Sequence, residues 1–400
     1  MHEHRVIVPN ADRTALLTLD GRLPLVSTTE RRQPDILAAL SREHGVRAPF
    51  LRTVRRRDDD GRLTTLIELD AAPAGWSSRG AAKWLPLEAA EASAVVPVFA
   101  DGVDEWLAEQ LGASPPPPER APWARPGWLA QATAWVDRVS PLRAEPRLIR
   151  QWCLSAMYAF ETAAGMLYLK ACFALWRHEP AVTDALAREH RGALPDVVAI
   201  DADRGWLLMR ELTGTVAADA GADWVAEQLR CAAELQLAWI GRGAELVTLG
   251  APKRPLEQLA REAPELASLC DRLTAIEVPE TITHGDLHKW NAFVEDDRIV
   301  LIDWSDAAVA HPFLDLAPAL RFAEEPSRDR LLDAYLAPWG GLAATADLRE
   351  AAALGEALGC VYQALSYRAI EGACEPADRW LWAGQDDTWL RRARELAAEL

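Results

Sequence analysis

From residue 223 onward the sequence is patterned for amphipathic helix, with one exception: a β-rich stretch at residues 281–302, and no other feature constrains the fold as tightly. Its interruptions are polar. Thr283-His284-Gly285-Asp286-Leu287-His288-Lys289-Trp290-Asn291 is followed, past the turn Glu295-Asp296-Asp297-Arg298, by Ile299-Val300-Leu301-Ile302-Asp303-Trp304. The turn makes a hairpin that brings Asp303 back beside Asn291. An Asp on a loop, an Asn shortly after it and an Asp at the end of the next strand are hard-oxygen groups of the kind magnesium prefers, together with phosphates and water. Phosphoryl transfer from a nucleotide needs such a metal site and an oriented acceptor hydroxyl.

The rest of the chain is ordered around that island. At 400 residues it is too long for one ordinary core, which predicts two domains or one large bilobal one. Residues 15–19 and 23–26 read as strands around the turn Asp20-Gly21. A helix is expected over residues 35–44, with Asp35 as N-cap after Pro34 and Gly45 as its stop. Strands at residues 50–54 and 63–69 flank the charged turn Asp58-Asp59-Asp60-Gly61, and a helix is expected over residues 104–111. Residues 1–112 thus form a small α+β domain. Residues 113–128 carry the run Pro115 to Pro118, then Pro122 and Pro126, and are expected to be a semi-rigid linker and the domain boundary. Strand-like runs at residues 148–160 and 166–172, a helix over residues 180–190, and short strands at 197–200 and 206–209 fill residues 129–214. Residues 215–400 are the helical part.

His-Gly-Asp-x-His-x-x-Asn followed by a strand ending in Asp-Trp resembles the catalytic and metal loops of the aminoglycoside phosphotransferase and choline kinase group. The resemblance runs from Leu148 to the C-terminus. It implies an α+β, bilobal protein-kinase-like fold, with a small β-rich lobe and a large helical lobe, preceded here by the α+β N-terminal domain. By this resemblance Asp286 is the catalytic base, Asn291 and Asp303 hold Mg2+, and ATP is the phosphoryl donor. Lys170, ending the run Met166-Leu167-Tyr168-Leu169, would meet the α- and β-phosphates and pair with Glu179, with Glu189 as the competing partner. Ser155 stands in for a Gly-rich phosphate loop, and Arg210, Glu211 and Leu212 lie at the hinge beside the adenine. His284 and His288 flank the base, with rings expected to hydrogen-bond the loop backbone and hold Asp286 in place. Asp315, in Pro312-Phe313-Leu314-Asp315, is expected to brace the catalytic loop. Lys289 is read as a solvated side chain, and Asp306 as a residue that would face a cationic acceptor.

The expected activity is that of a small-molecule kinase, transferring the γ-phosphoryl group to a hydroxyl of an amino sugar, sugar, aminoglycoside or amino alcohol. The alternative is a non-catalytic nucleotide-binding regulator whose N-terminal domain engages a protein partner. A net charge of −17 argues against a nucleic-acid or anionic-membrane partner and suits a cationic or neutral ligand such as a sugar. No run is long enough to span a bilayer and the start lacks a basic segment followed by an apolar one, so the cytoplasm is the expected location. The six cysteines lack C-x-x-C spacing and are expected to be reduced core residues. The N-terminal domain resembles a Nudix domain, but Ala39 and Arg42 replace two of the helix glutamates and only Glu43 survives. It is read as a cap on the small lobe or a contributor to a homodimer. Of the 17 tryptophans, Trp290 and Trp304 adjoin the catalytic motif.

Overall fold

In a computed structural model the chain is described over residues 1–59, 61–72, 76, 82–323 and 327–400. Asp60 of the charged turn lies outside the described residues. The chain divides into two compact units, Met1–Ala171 with Cys374–Arg379, and Cys172–Ala373 with Trp380–Leu400.

In the first unit, β1 (His2–Ile7) is central to a four-stranded sheet. It pairs antiparallel with β3 (Leu25–Thr28) and parallel with β5 (Arg62–Leu69), which also pairs with β4 (Phe50–Asp59). A second antiparallel pair joins β2 (Ala15–Leu19) to β6 (Ala82–Pro86). Helix α1 (Gln33–His44) starts earlier than its sequence signals suggest. Arg32 occupies the N-cap position without a side-chain cap, Pro34 sits in the first turn, and Asp35 instead serves as a first-turn acid, paired with Arg32 at 3.0 Å. Gly45 ends the helix at φ 66°, a left-handed conformation that glycine adopts without strain. Helix α2 (Ala100–Gln110) closes this core with Trp106 and Val103 against Ile7, Leu16 and Leu66.

The proline-rich segment belongs inside this unit. Trp123 is buried, its indole N–H donating to the Trp152 carbonyl at 2.7 Å. Arg120 is ion-paired to Glu109 and to Glu375, the latter at 2.6 Å, and Arg52 reaches Glu68 at 2.7 Å. These buried charges explain why residues 374–379 group with the first unit: an arginine this enclosed needs its carboxylates in place. After α3 (Trp128–Val139) come β7 (Arg147–Gln151), β8 (Ser155–Thr162) and β9 (Gly165–Cys172), with β8 between the other two. The continuous strand expected over residues 148–160 is broken because Trp152 N–H donates to the Ser155 carbonyl at 3.0 Å, closing a tight turn. Buried Gln151 links these strands to the N-terminal sheet: its side-chain N–H donates to the Leu51 carbonyl at 2.6 Å, and it accepts from Tyr158 at 2.9 Å.

In the second unit, α4 (Glu179–Glu189) precedes the hairpin β10 (Val197–Asp201) and β11 (Trp206–Arg210). Strand β12 (Thr215–Val216) and α5 (Ala222–Ala238) follow. The β-rich island is β13 (Thr281–Thr283), β14 (Ala292–Glu295) and β15 (Arg298–Leu301). β13 pairs with β16 (Ala308–Ala310), while β14 lies between β12 and β15. The turn between β14 and β15 places Asp296 and Asp297 at φ 48° and 58°, the left-handed pair that a two-residue hairpin requires.

Helices α6 (Ser327–Leu336), α7 (Thr345–Ala373) and α8 (Gln385–Ala397) pack around the island. No helix among the described residues is long and apolar enough to cross a membrane. The long helix α7 presents Gly355 and Gly359 to the turn Pro312–Asp315. A Cβ on Gly359 would lie 2.2 Å from the Leu314 carbonyl oxygen, and one on Gly355 2.6 Å from the Phe313 Cβ. These glycines let the helix backbone seat that turn. Gly359→Ala would stabilise an open helix interior by about 1 kcal/mol. Here overpacking is expected to reverse the sign, with a loss of about 1–3 kcal/mol in a denaturant titration; a gain would contradict the close seating.

Candidate active site

The loop between β13 and β14 is shaped by its own glycine and held from behind by a carboxylate. Gly285 has φ 80°, and a Cβ there would lie 2.2 Å from the Asp306 carbonyl oxygen, so backbone packs on backbone. The amides of His284 and Gly285 donate to the two oxygens of buried Asp315 at 2.7 and 2.8 Å. Gln236 donates a third bond to Asp315 at 2.8 Å and is itself fixed by the Tyr335 hydroxyl at 2.7 Å. Burial pushes the Asp315 pKa up to about 7, against the pull of the His284 and Gly285 N–H groups. Three donors aimed at two oxygens suit the carboxylate, and that is the form able to brace the loop. Gln363, on α7, adds a bond to the Gly285 carbonyl.

Asp286 emerges from this braced segment half-exposed. Asn291 donates from its side-chain nitrogen to the Asp286 carbonyl at 2.9 Å and to its carboxylate at 3.3 Å. That commits the amide nitrogen and leaves the amide oxygen as the atom for a cation. The Asn291 carbonyl accepts from Ile302 N–H at 3.0 Å, which holds the strand end carrying Asp303 beside Asn291. Asp303 is exposed and adopts φ 66°, a conformation Asp tolerates better than most residues. The amide oxygen and the Asp303 carboxylate are hard donors that fit magnesium. Among the described residues no group of three or more His, Cys, Asp or Glu is arranged to hold a metal, so phosphate and water would have to complete the coordination.

The two histidines differ. His284 is buried, its Nε2 donating to the Ile302 carbonyl at 2.9 Å while Nδ1 accepts from Asp286 N–H at 3.4 Å. Burial lowers its pKa despite nearby Asp286, so the ring is a neutral strut. His288 is less enclosed, with Nε2 3.4 Å from Asp286 Oδ2. Burial disfavours its charged form, but the bond to Asp286 and that residue's charge prevail and raise the pKa. Trp304 is buried against His284, ring centroids 4.6 Å apart, and is a packing residue; Trp290 is exposed. Asp306 is turned inward: one carboxylate oxygen is buried without a hydrogen-bond partner, and burial, with the charge of Asp286, pushes its pKa up to about 7.

Ser305 is a site residue that the sequence reading missed. Its hydroxyl lies 2.7 Å from Asp303 Oδ1 and 2.7 Å from Glu179 Oε2, and Glu179 also accepts from Cys172 Sγ at 3.1 Å. Glu179, at the start of α4, is therefore tied to the Asp303 loop, while Glu189 is engaged by Arg242 at 2.7 Å. Lys170 is buried on β9, and Ser155, at the start of β8, accepts from the Trp152 indole at 2.9 Å. Arg210 ends β11, its amide bonded to the Asp196 carbonyl at 3.0 Å, and Glu211 and Leu212 follow on the way to Thr213, which is fastened to Glu295.

Residues 154–354, half of the chain, match the phosphotransferase enzyme family. The chain belongs to this family. Membership agrees with the expected small-molecule phosphotransferase on an α+β fold of the kinase-like kind, and the matched span contains the loop, hairpin and brace described above. The N-terminal domain lies outside it, and no comparison supports the Nudix resemblance. No curated protein matches the chain. Among solved structures, a choline/ethanolamine kinase family protein from Mesorhizobium loti is similar at 18% identity and TM-score 0.48, over 67% of this chain and 94% of that one. A macrolide 2'-phosphotransferase from Brachybacterium faecium is similar at 20% identity and TM-score 0.44, over 64% and 96%. A choline kinase from Streptococcus pneumoniae is similar at 15% identity and TM-score 0.47, over 68% and 99%.

The brace gives a direct test within this family. Asp315→Asn replaces one acceptor oxygen with a donor facing a backbone N–H, and should cost about 1–3 kcal/mol of stability by denaturant titration. An unchanged midpoint would show that the loop does not depend on the carboxylate.

Proposed function

We propose that the chain catalyses ATP- and magnesium-dependent transfer of the γ-phosphoryl group to a hydroxyl of a small metabolite or antibiotic. The observation that carries this reading is the Asn291 amide tied to Asp286 on a braced loop, with Asp303 held beside it by the hairpin, in a member of the phosphotransferase family. Asp286 orients the acceptor hydroxyl and accepts its proton as the oxygen bonds to the γ-phosphorus. The bond to the bridging oxygen breaks and ADP leaves. His284 and His288 fix the loop and the carboxylate. Asn291 and Asp303 would hold magnesium, which would supply charge neutralisation for the nucleotide phosphates. The nucleotide contacts expected of Lys170, Glu179, Ser155, Arg210, Glu211 and Leu212 are part of this proposal. Choline-like amino alcohols, sugars, amino sugars and aminoglycosides are the acceptor classes to be compared.

The non-catalytic alternative is not favoured, because base, amide and second carboxylate are all present on the island. ATP with magnesium at a hundred times its Kd should stabilise the chain by about 2.7 kcal/mol, seen as a raised melting temperature. With a competent acceptor, Asp286→Ala should lower the rate of ADP release by about 10²–10⁴-fold while nucleotide binding persists. Wild-type chain that ATP and magnesium fail to stabilise would overturn the proposal, as would an Asp286→Ala variant with undiminished turnover.

A further inference from the structure

The surface beside Asp286 has a composition that bears on the acceptor. Trp290 and Phe322 are 45% and 54% exposed, with ring centroids 5.4 Å apart at 73°. Trp290 also packs edge-on to His288 at 5.5 Å, and the His288 Nε2 is 3.4 Å from Asp286 Oδ2. Two exposed rings therefore run continuously from the base. Large exposed rings next to a reactive carboxylate are the kind of surface on which a small ligand rests.

Each ring is already faced by a cation of the chain. Lys289 Nζ lies 4.9 Å from the Trp290 centroid, and Arg321 Cζ lies 5.3 Å from Phe322 and 4.4 Å from Trp389. Among the described residues neither Lys289 nor Arg321 has a carboxylate within 4.0 Å, although the chain is strongly acidic overall. A cavity of about 330 Å³ adjoins Lys289 and Phe322, lined also by Arg330, Val225, Pro318 and Leu331 among others, and no Asp or Glu of the described residues lines it. Arg330 is paired with Asp223, which leaves Lys289 and Arg321 as the cations here without a carboxylate partner among the described residues. An ammonium group approaching these rings would meet like charge on faces already in use. An anionic group would meet two cations and the positive ring edges.

We infer that the acceptor is a hydroxylated organic anion, its carboxylate or phosphate resting against Lys289 and Arg321 while its hydroxyl reaches Asp286. This rests on the phosphotransferase reading of Asp286 and departs from the preference for a cationic or neutral ligand drawn from net charge. Net charge is summed over the whole surface, whereas the ligand meets only the local groups.

The test is calorimetric titration of the full chain, first with magnesium and a non-hydrolysable ATP analogue, then with D-glucuronate, D-glucose 6-phosphate, D-glucose, D-glucosamine and choline. One of the two anions should bind about tenfold or more tightly than the neutral and amine probes, and Lys289→Met and Arg321→Met should each weaken it by about tenfold. Variants are compared only where their melting temperature matches wild type, and Arg321→Glu, which should shift preference toward glucosamine, gives an independent reading. Whichever anion binds separates carboxylate from phosphate recognition. Tighter binding of glucosamine or choline, no binding of either anion, or anion binding unchanged in both methionine variants would overturn the inference. Nucleotide binding with an amine preference removes this inference alone; absent nucleotide binding removes the proposed function and this inference with it.

Discussion

The candidate site depends on one carboxylate. Asp315 collects the amides of His284 and Gly285, and without that partner two N–H groups would be buried unsatisfied beneath Asp286, the proposed base. The loop places Asp286 because its first two peptide groups have one satisfied arrangement. Gly285 makes that arrangement reachable, since its left-handed backbone sits against the Asp306 carbonyl where a side chain would not fit.

The brace is itself positioned from a distance. Asp315 ends a short helical turn whose Phe313 and Leu314 lie against the glycine face of α7, and Gln236 and Tyr335 approach from α5 and α6. Packing of three helices is thereby converted into the geometry of a few polar atoms. The same logic holds at the other end of the hairpin, where Ser305 joins Asp303 to Glu179. Rigid helices and a short hairpin suit a site that has little covalent work to do and must mainly orient charge.

Legibility in the sequence followed range. Asp286, Asn291 and Asp303 share one hairpin, so their spacing carries the arrangement directly, and the strands of the island fall where alternation and turn residues put them. Gln236, Gln363 and Tyr335 left no comparable signal, because each acts through a partner far away in the chain; Ser305 stands two residues from Asp303, but its second partner, Glu179, is distant. Gly355 and Gly359 would weaken an open helix, yet here they are what allows α7 to seat the brace. Asp35 misled through local propensity, since the helix starts at Gln33, two residues earlier, with Pro34 in its first turn. The proline-rich segment misled through composition: its prolines do end regular structure, but Trp123 and Arg120 anchor it in a core. Overall charge is summed over the whole surface and does not report the acceptor side, where Lys289 and Arg321 stand without carboxylate partners among the described residues.

In the proposed mechanism Asn291 and Asp303 jointly hold the metal next to Asp286. Titration with Mn2+ in place of magnesium, followed by electron paramagnetic resonance in the presence of an ATP analogue, reads this directly. The account predicts that Asn291→Ala and Asp303→Asn each weaken Mn2+ binding by at least about tenfold. Mn2+ affinity equal to wild type in both variants would contradict it.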